Sequence, residues 1–317
     1  MEGRLEWRAG RRESRAMSVV PIGNHILLTG GRGRLAGIIR QHFSARGAQV
    51  TSLSRMEGSG HFSLENLFTG DLVEQADTLI HLAWSTVPST AERNVGQEWE
   101  QDIPLLINLL KRLAQAPTRE KLHLIFLSSG GTVYGNARDN CASRESDACE
   151  PIGRYGQAKL AAERLVEEFG CRHKLRYTIL RVSNPYGFPA TISKAHGLVP
   201  LIVKSARDGS PLSIWGDGTA RKDFLFHTDF SAALEEVVLQ RLGGVFNVGS
   251  GKSHSINEVI DLVEQLLGCK VQRNYGPAHA WDVHDSLIDH GKLSAASGWR
   301  PIVPLNEGIA HAVAMLR

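Results

Sequence analysis

An apolar run at 25–29, His-Ile-Leu-Leu-Thr, ends in Thr29-Gly-Gly-Arg-Gly-Arg-Leu-Ala36. A helical pattern begins at once, with Leu35, Ile38, Ile39 and Phe43 on one face. Residues 48–53 read as a second strand. Strand, glycine turn, helix and strand form the opening βαβ unit of a parallel sheet. Gly30 and Gly33 let the backbone turn tightly and approach a pyrophosphate, and Ala36 is small enough for helix and strand to pack closely. The helix N-terminus favours the phosphate charge. A dinucleotide site follows from this context, since glycines alone are a weak signal.

Further apolar runs at 78–83, 122–127, 177–182 and 245–248 read as strands. Helical patterns cover 99–113, where Ile103, Leu106, Leu109 and Leu110 make a stripe, and 155–169, with Gly170 as the terminator. Others cover 199–208, 230–242, 255–267 and 305–316. Strands alternating with helices indicate a doubly wound α/β sheet, a Rossmann fold. After Pro185 the chain is richer in Gly and Pro. The expected division is a dinucleotide-binding domain at 24–184 and 229–267, and a smaller α/β substrate domain at 185–228 and 268–317. Residues 1–23 read as a disordered extension, Arg-rich before Met17 and without the apolar core of a secretory signal.

The 317 residues carry a net charge of +3, too small to argue for nucleic acid or a membrane. No 18-residue apolar run exists, so no membrane span is expected. Cys141, Cys149, Cys171 and Cys269 match no zinc spacing, and no metal is expected. A reduced, cytoplasmic setting is the default.

Three stretches carry chemistry. Ser54-Arg55 stands where an acid would bond both ribose hydroxyls and select NAD. A serine and an arginine can instead bond a 2′-phosphate, so the cofactor is NAD or NADP with a slight lean to NADP. Ser128 to Gly135 puts hydroxyls at the carboxyl end of a strand, where ligands bind in such sheets. Tyr155 and Lys159 are four residues apart, on one face if the segment is helical. A cation held there favours the phenolate, so a group that titrates near pH ~10 becomes a base nearer neutrality.

Taken together, these motifs resemble the extended short-chain dehydrogenase/reductases, specifically nucleotide-sugar epimerases of the UDP-glucose 4-epimerase type. The resemblance runs from about residue 24 onward. It rests on the glycine loop, His81-Leu-Ala83, Ser128 to Gly135, Tyr155-Gly-Gln-Ala-Lys159, Leu180-Arg-Val-Ser-Asn-Pro-Tyr-Gly187, Trp215-Gly-Asp-Gly218 with Lys222-Asp-Phe224, Asn247-Val-Gly-Ser-Gly251 and Gly298-Trp-Arg-Pro301. It implies that Tyr155 is the base and that Lys159 holds the nicotinamide ribose while lowering the Tyr pKa. Gly30, Gly31, Gly33, Arg34, Leu35, Ser54, Arg55, Leu64, Leu82, Ala83, Trp84 and Ser128 become cofactor contacts, Leu64 beside the adenine. Ser128 and Ser129 match positions beside the active site. Asn184, Leu198, Trp215, Lys222, His279 and Asp282 become substrate contacts. The substrate would be a nucleotide sugar such as a UDP-hexose, and a homodimer would pair the helices at 99–113 and 155–169. His81 reads as structural, and Trp215 has burial in the core as its alternative.

The chain departs from the family pattern at four places. Gly130 stands where a catalytic Ser or Thr is usual, so Thr132, or else Ser129, must supply that hydroxyl. Asp102 replaces an Asn. Lys222, displaced beside Arg221, replaces an Arg, and His279 replaces another. Three functions remain: a 4-epimerase with a retained cofactor, an NADPH-dependent reductase of a keto-sugar nucleotide or another carbonyl, and a non-enzymatic nucleotide sensor. Dehydratases place Asp-Glu after the loop hydroxyl, and this chain does not.

Overall fold

A computed structural model describes residues 25–55, 58, 60–138, 141–188 and 197–315. The expected N-terminal extension lies outside the described residues. The first half contains β1 (His25–Thr29), α1 (Arg34–Ser44), β2 (Gln49–Ser54), β3 (Phe62–Ser63), α2 (Asn66–Thr69), α3 (Leu72–Gln75), β4 (Thr78–His81) and α4 (Pro88–Arg93). A π-helical turn (Glu98–Asp102), α5 (Ile103–Gln115), β5 (His123–Ser129), α6 (Arg154–His173) and β6 (Arg176–Val182) follow. The second half contains β7 (Asn184–Tyr186), α7 (Leu198–Asp208), β8 (Leu212–Trp215), β9 (Arg221–Phe226), α8 (His227–Leu239) and β10 (Gly244–Val248). It closes with β11 (Ser253–Ser255), α9 (Ile256–Leu267), β12 (Arg273–Gly276), α10 (Gly291–Ser297) and α11 (Leu305–Met315).

Seven parallel strands form the main sheet in the order β10-β6-β5-β4-β1-β2-β3. Ile26, Leu27 and Leu28 of β1 are fully buried because helices cover both faces, which is why the run is continuously apolar. One face buries Ile39 and Phe43 of α1 against Phe230, Leu234 and Val237 of α8. The other buries Leu106, Leu109, Leu110 and Leu113 of α5 with Val166 of α6. Strand order reverses between β1 and β4, so their carboxyl ends border a crevice, the place where such sheets take ligands. The doubly wound α/β expectation is the observed architecture.

A third core joins Val199 and Ile202 of α7, Val259, Ile260 and Val263 of α9, and Ile309 of α11. The sequence boundary at 267 put α9 with the dinucleotide domain. The packing differs, because the apolar stripe of α9 is satisfied by α7 and α11 and not by the main sheet. Leu293 and Trp299, expected in the substrate part, bury instead in the sheet's first cluster.

Two local expectations are corrected. Gly170 does not end its helix, which continues to His173 and stops where Lys174 takes a left-handed conformation, φ 56°. Gly170 instead makes room for a ring: a Cβ there would lie 2.2 Å from Cδ1 of Tyr177. The helix expected from 99 opens as a π turn, with the Ile103 N–H bonded to the carbonyl of Glu98 five residues back. Pro104, next in the chain, has no N–H to donate. Among the described residues no helix is long and apolar enough to cross a membrane.

Candidate active site

The crevice at the ends of β1 and β4 opens into a cavity of about 780 Å³. Gly30, Gly33, Ser54, Arg55, Leu64, Leu82, Ala83 and Trp84, expected as cofactor contacts, all line it; Arg32, Gln101 and Asp102, which the sequence did not assign to a cofactor, line it too. Gly30 has φ +71°, and a Cβ there would meet the Ala83 nitrogen at 2.9 Å, so only glycine lets the loop cross so close to the chain after β4. The start of α1 has no side-chain cap and no acidic residue in its first turn. Its first N–H groups therefore face the crevice end as a ready anion site. This cradle fits a dinucleotide diphosphate.

Three loop positions behave otherwise. Gly31 turns toward β2, donating its N–H to Leu53 O at 2.9 Å. The Arg34 guanidinium lies 5.8 Å from the ring centroid of Phe188. Leu35 packs on the sheet core. At the ribose position Ser54 is buried, and Arg55 donates to Gln101 Oε1 at 3.1 Å.

Tyr155 and Lys159 occupy one face of α6, in its first two turns. The Lys159 ammonium donates to Leu127 O on β5 at 2.9 Å and lies 3.8 Å from the Trp84 ring centroid. It is 5.8 Å from the Tyr155 ring centroid, and Trp84 meets Tyr155 edge-on at 6.5 Å. Burial lowers the Lys159 ammonium to about 7, while Asp102 and Glu163 pull it upward. Burial pushes the Tyr155 phenol above its ordinary value, and Asp102 and then Glu98 push it further. The expected lowering of the phenol by Lys159 is thus not found in this arrangement, where burial and the two carboxylates act the other way.

The carboxylates responsible sit on the π turn. Asp102 accepts from the Ser85 N–H at 2.9 Å and from its hydroxyl at 2.6 Å; Glu98 accepts from the Thr86 hydroxyl at 2.5 Å. Burial also raises the Asp102 carboxyl, against the Ser85 bonds. His81 is buried and hydrogen-bonded to Thr29 Oγ1 at 2.9 Å, a structural contact at the crevice floor.

The loop after β5 explains the missing hydroxyl. A Cβ at Gly130 would stand 2.7 Å from Ile288 Cδ1 and 2.9 Å from Arg181 O, so the space of a side chain is already filled. Thr132 Oγ1 is 3.5 Å from Ser129 O, a long and weak contact, and Ser129 is partly exposed. Ser128 is committed elsewhere, since its hydroxyl donates to Glu163 in the core. Ser286 was missed by sequence reading. Its buried hydroxyl has no partner among the described residues and lies 3.5 Å from the point a Cβ on Gly131 would occupy.

The predicted substrate residues form two groups. Trp215 is 46% exposed, so it is not core, and it meets His279 at 4.7 Å and Trp281 at 5.2 Å, both edge-on. His279 stacks on Trp281 at 4.9 Å. Trp281 was not predicted; its carbonyl lies beside Gly153, the residue before α6. In the second group Lys222 pairs with Asp282 at 3.0 Å and donates to Val283 O. Arg221 is occupied by Glu258 at 2.9 Å and Ser253 O at 2.7 Å. Asn184 donates to Asp223 O at 3.1 Å and borders Gly131, while Leu198 packs on the third core.

Residues 26–249 match the model of the NAD dependent epimerase/dehydratase family. A dTDP-4-dehydro-6-deoxyglucose reductase of Escherichia coli is 27% identical over 76% of this chain and 75% of its own. A putative UDP-glucose 4-epimerase of Methanocaldococcus jannaschii is 26% identical over 91% of this chain and 97% of its own. The crystal structure of a Thermus thermophilus UDP-glucose 4-epimerase in complex with NAD superposes with a TM-score of 0.82 at 25% identity, covering 92% of this chain and 98% of that one. The neighbour carries NAD, so the lean to NADP from Ser54-Arg55 gains no support, and Arg55 is held by Gln101.

Proposed function

The chain belongs to the NAD-dependent epimerase/dehydratase family, and we propose that it is a nucleotide-sugar 4-epimerase using NAD, with Tyr155 as the proton-transfer group. The observation that carries this reading is the position of Tyr155 and Lys159, one helical turn apart and joined through Trp84 to the crevice that starts at Gly30 and Gly33. A nicotinamide bound in that crevice would supply a hydride acceptor that also returns hydride. Tyr155 takes the proton of the sugar 4-hydroxyl and later returns it to the same oxygen, while inversion at C4 requires the 4-keto sugar to turn over so that hydride comes back to its other face. Closer approach of the Lys159 charge is what brings the phenol down to a working value. Thr132 or Ser129 holds the substrate oxygen, Asn184 the sugar nucleotide, and Trp215 with His279 and Trp281 offers flat faces to the base.

The test is incubation of the purified protein with UDP-, dTDP- and GDP-sugars, with and without NADPH. Epimerisation without added cofactor is expected. In Tyr155→Phe we expect turnover to vanish while cofactor stays bound; full activity in that variant would sink the mechanism. The Escherichia coli reductase supports a second reading, net reduction of a 4-keto sugar nucleotide by the same pair. Steady consumption of NADPH would select it. We also infer a homodimer through α5 and α6, with Trp99 and Val95 exposed ahead of α5. A monomer by light scattering at micromolar concentration would refute that.

A further inference from the structure

The Lys159 ammonium has three N–H donors and a single hydrogen bond among the described contacts, to Leu127 O. Its other close neighbours are rings: Trp84 at 3.8 Å, Phe126 at 5.0 Å and Tyr155 at 5.8 Å from ring centroid. Phe126 and Trp84 are packed together edge-on at 6.3 Å, so the two faces are fixed relative to each other. We propose that Trp84 is the positioning residue for Lys159, its ring face holding the buried ammonium in the cleft by cation–π attraction with Phe126 as the second wall.

Several observations support this. The nearby carboxylates are occupied by other partners: Asp102 by Ser85, and Glu163 by Arg181 and Ser128. They act on the ammonium through space, while the indole is in contact with it. A ring in contact with a desolvated cation gives the strongest form of this attraction, and indole is the best ring for it. The Trp84 N–H is itself buried without a partner among the described residues. A phenylalanine would fill space there without stranding a donor, so packing alone does not account for tryptophan.

The charged and titratable groups facing Lys159 are His81 on β4, Asp102 on the π turn, and Tyr155 and Glu163 on α6, while Glu98 acts on Tyr155 and Asp102. His81 is held neutral by burial, its value lowered to about 3 with Lys159 adding to the shift. Removing the ring face while keeping the site dry withdraws support from the charged lysine alone. The Lys159 titration must then move down.

The experiment uses the full chain without cofactor, with selectively 13Cε-labelled lysine and the Lys159 resonance assigned through Lys159→Arg. In Trp84→Leu the Lys159 midpoint is expected to fall by about one pH unit, and in Trp84→Phe by about half of that. If Trp84→Leu does not fold, Trp84→Phe and Phe126→Leu decide, each with a smaller downward shift expected. Midpoints within about 0.2 unit of the wild type in the folded variants would overturn the proposal. So would a rise, which would mean that Trp84 acts by excluding water. The proposal rests on Lys159 being the working lysine of the epimerase reading, but the measurement needs neither substrate nor turnover. Absence of epimerisation would leave the midpoint shift standing, and an unchanged midpoint would leave the epimerase reading standing.

Discussion

Lys222 Nζ lies 3.0 Å from Asp282 Oδ1, so a cation expected to meet the substrate is already paired within the protein. The pair is mostly shielded, and Lys222 also donates to Val283 O. A ligand phosphate must compete with both partners. Lys222→Gln should therefore change the affinity for UDP by less than about threefold, while Asp282→Asn, which frees the cation, should tighten it severalfold, roughly 1 kcal/mol. Titration by tryptophan fluorescence at low and high salt measures both. A tenfold loss in Lys222→Gln would show that the pair opens to bind.

Much of the fold was legible because the sheet strands are buried on both faces and so read as unbroken apolar runs, and because the glycine loop sits between one such run and an amphipathic helix. The loop itself pointed to Gly30 and Gly33, and the resemblance supplied Leu64, Leu82, Ala83 and Trp84. What escaped was set by contacts distant in sequence. Gly170 reads as a terminator from its neighbours alone, yet it is fixed by Tyr177 on the following strand. Trp84 gave no sign that its partner was Lys159, and Ile288 gave none that it filled the space at Gly130. Exposed helical Gly→Ala changes usually stabilise by up to about 1 kcal/mol. Gly170→Ala should instead destabilise by roughly 1–3 kcal/mol through overpacking on Tyr177, as urea melts would read. A gain in stability would count against the packing.

Acid should weaken the fold through two histidines. Burial lowers His81 and His123 to about 3 each. In the unfolded chain a histidine titrates near ~6.5. Their contribution is fully present above that value and is lost as pH falls from about 6.5 toward 3. Together they give a slope approaching ~2.7 kcal/mol per pH unit. Lys159, also lowered, acts in the same direction only between about 10 and 7, so the windows separate. His123→Gln, which retains a possible bond to Thr178, should remove about half the slope below pH ~6 in urea melts. An unchanged slope would mean that His123 is protonated in the fold.

Arg181 and Glu163 make the one ion pair in which both side chains are under 5% exposed among the described residues. Arg181 contacts both Glu163 oxygens, with its closest bond 2.7 Å, and gives another hydrogen to Tyr134 OH at 2.8 Å. Ser128 donates to the same carboxylate, and the Tyr134 hydroxyl donates to Asn247 at 2.8 Å. The pair ties α6 to β6 four residues beyond Lys159, so it bears on the register of the active-site helix. Removing one partner strands a buried charge: Arg181→Met should cost about 3–5 kcal/mol. Replacing both by Met removes both charges, and the double variant should recover at least ~2 kcal/mol of that loss. A double-mutant cycle in urea reads the coupling. If the double variant is as unstable as Arg181→Met, the loss lies in the Ser128 and Tyr134 bonds rather than in an uncompensated charge, and the expectation fails.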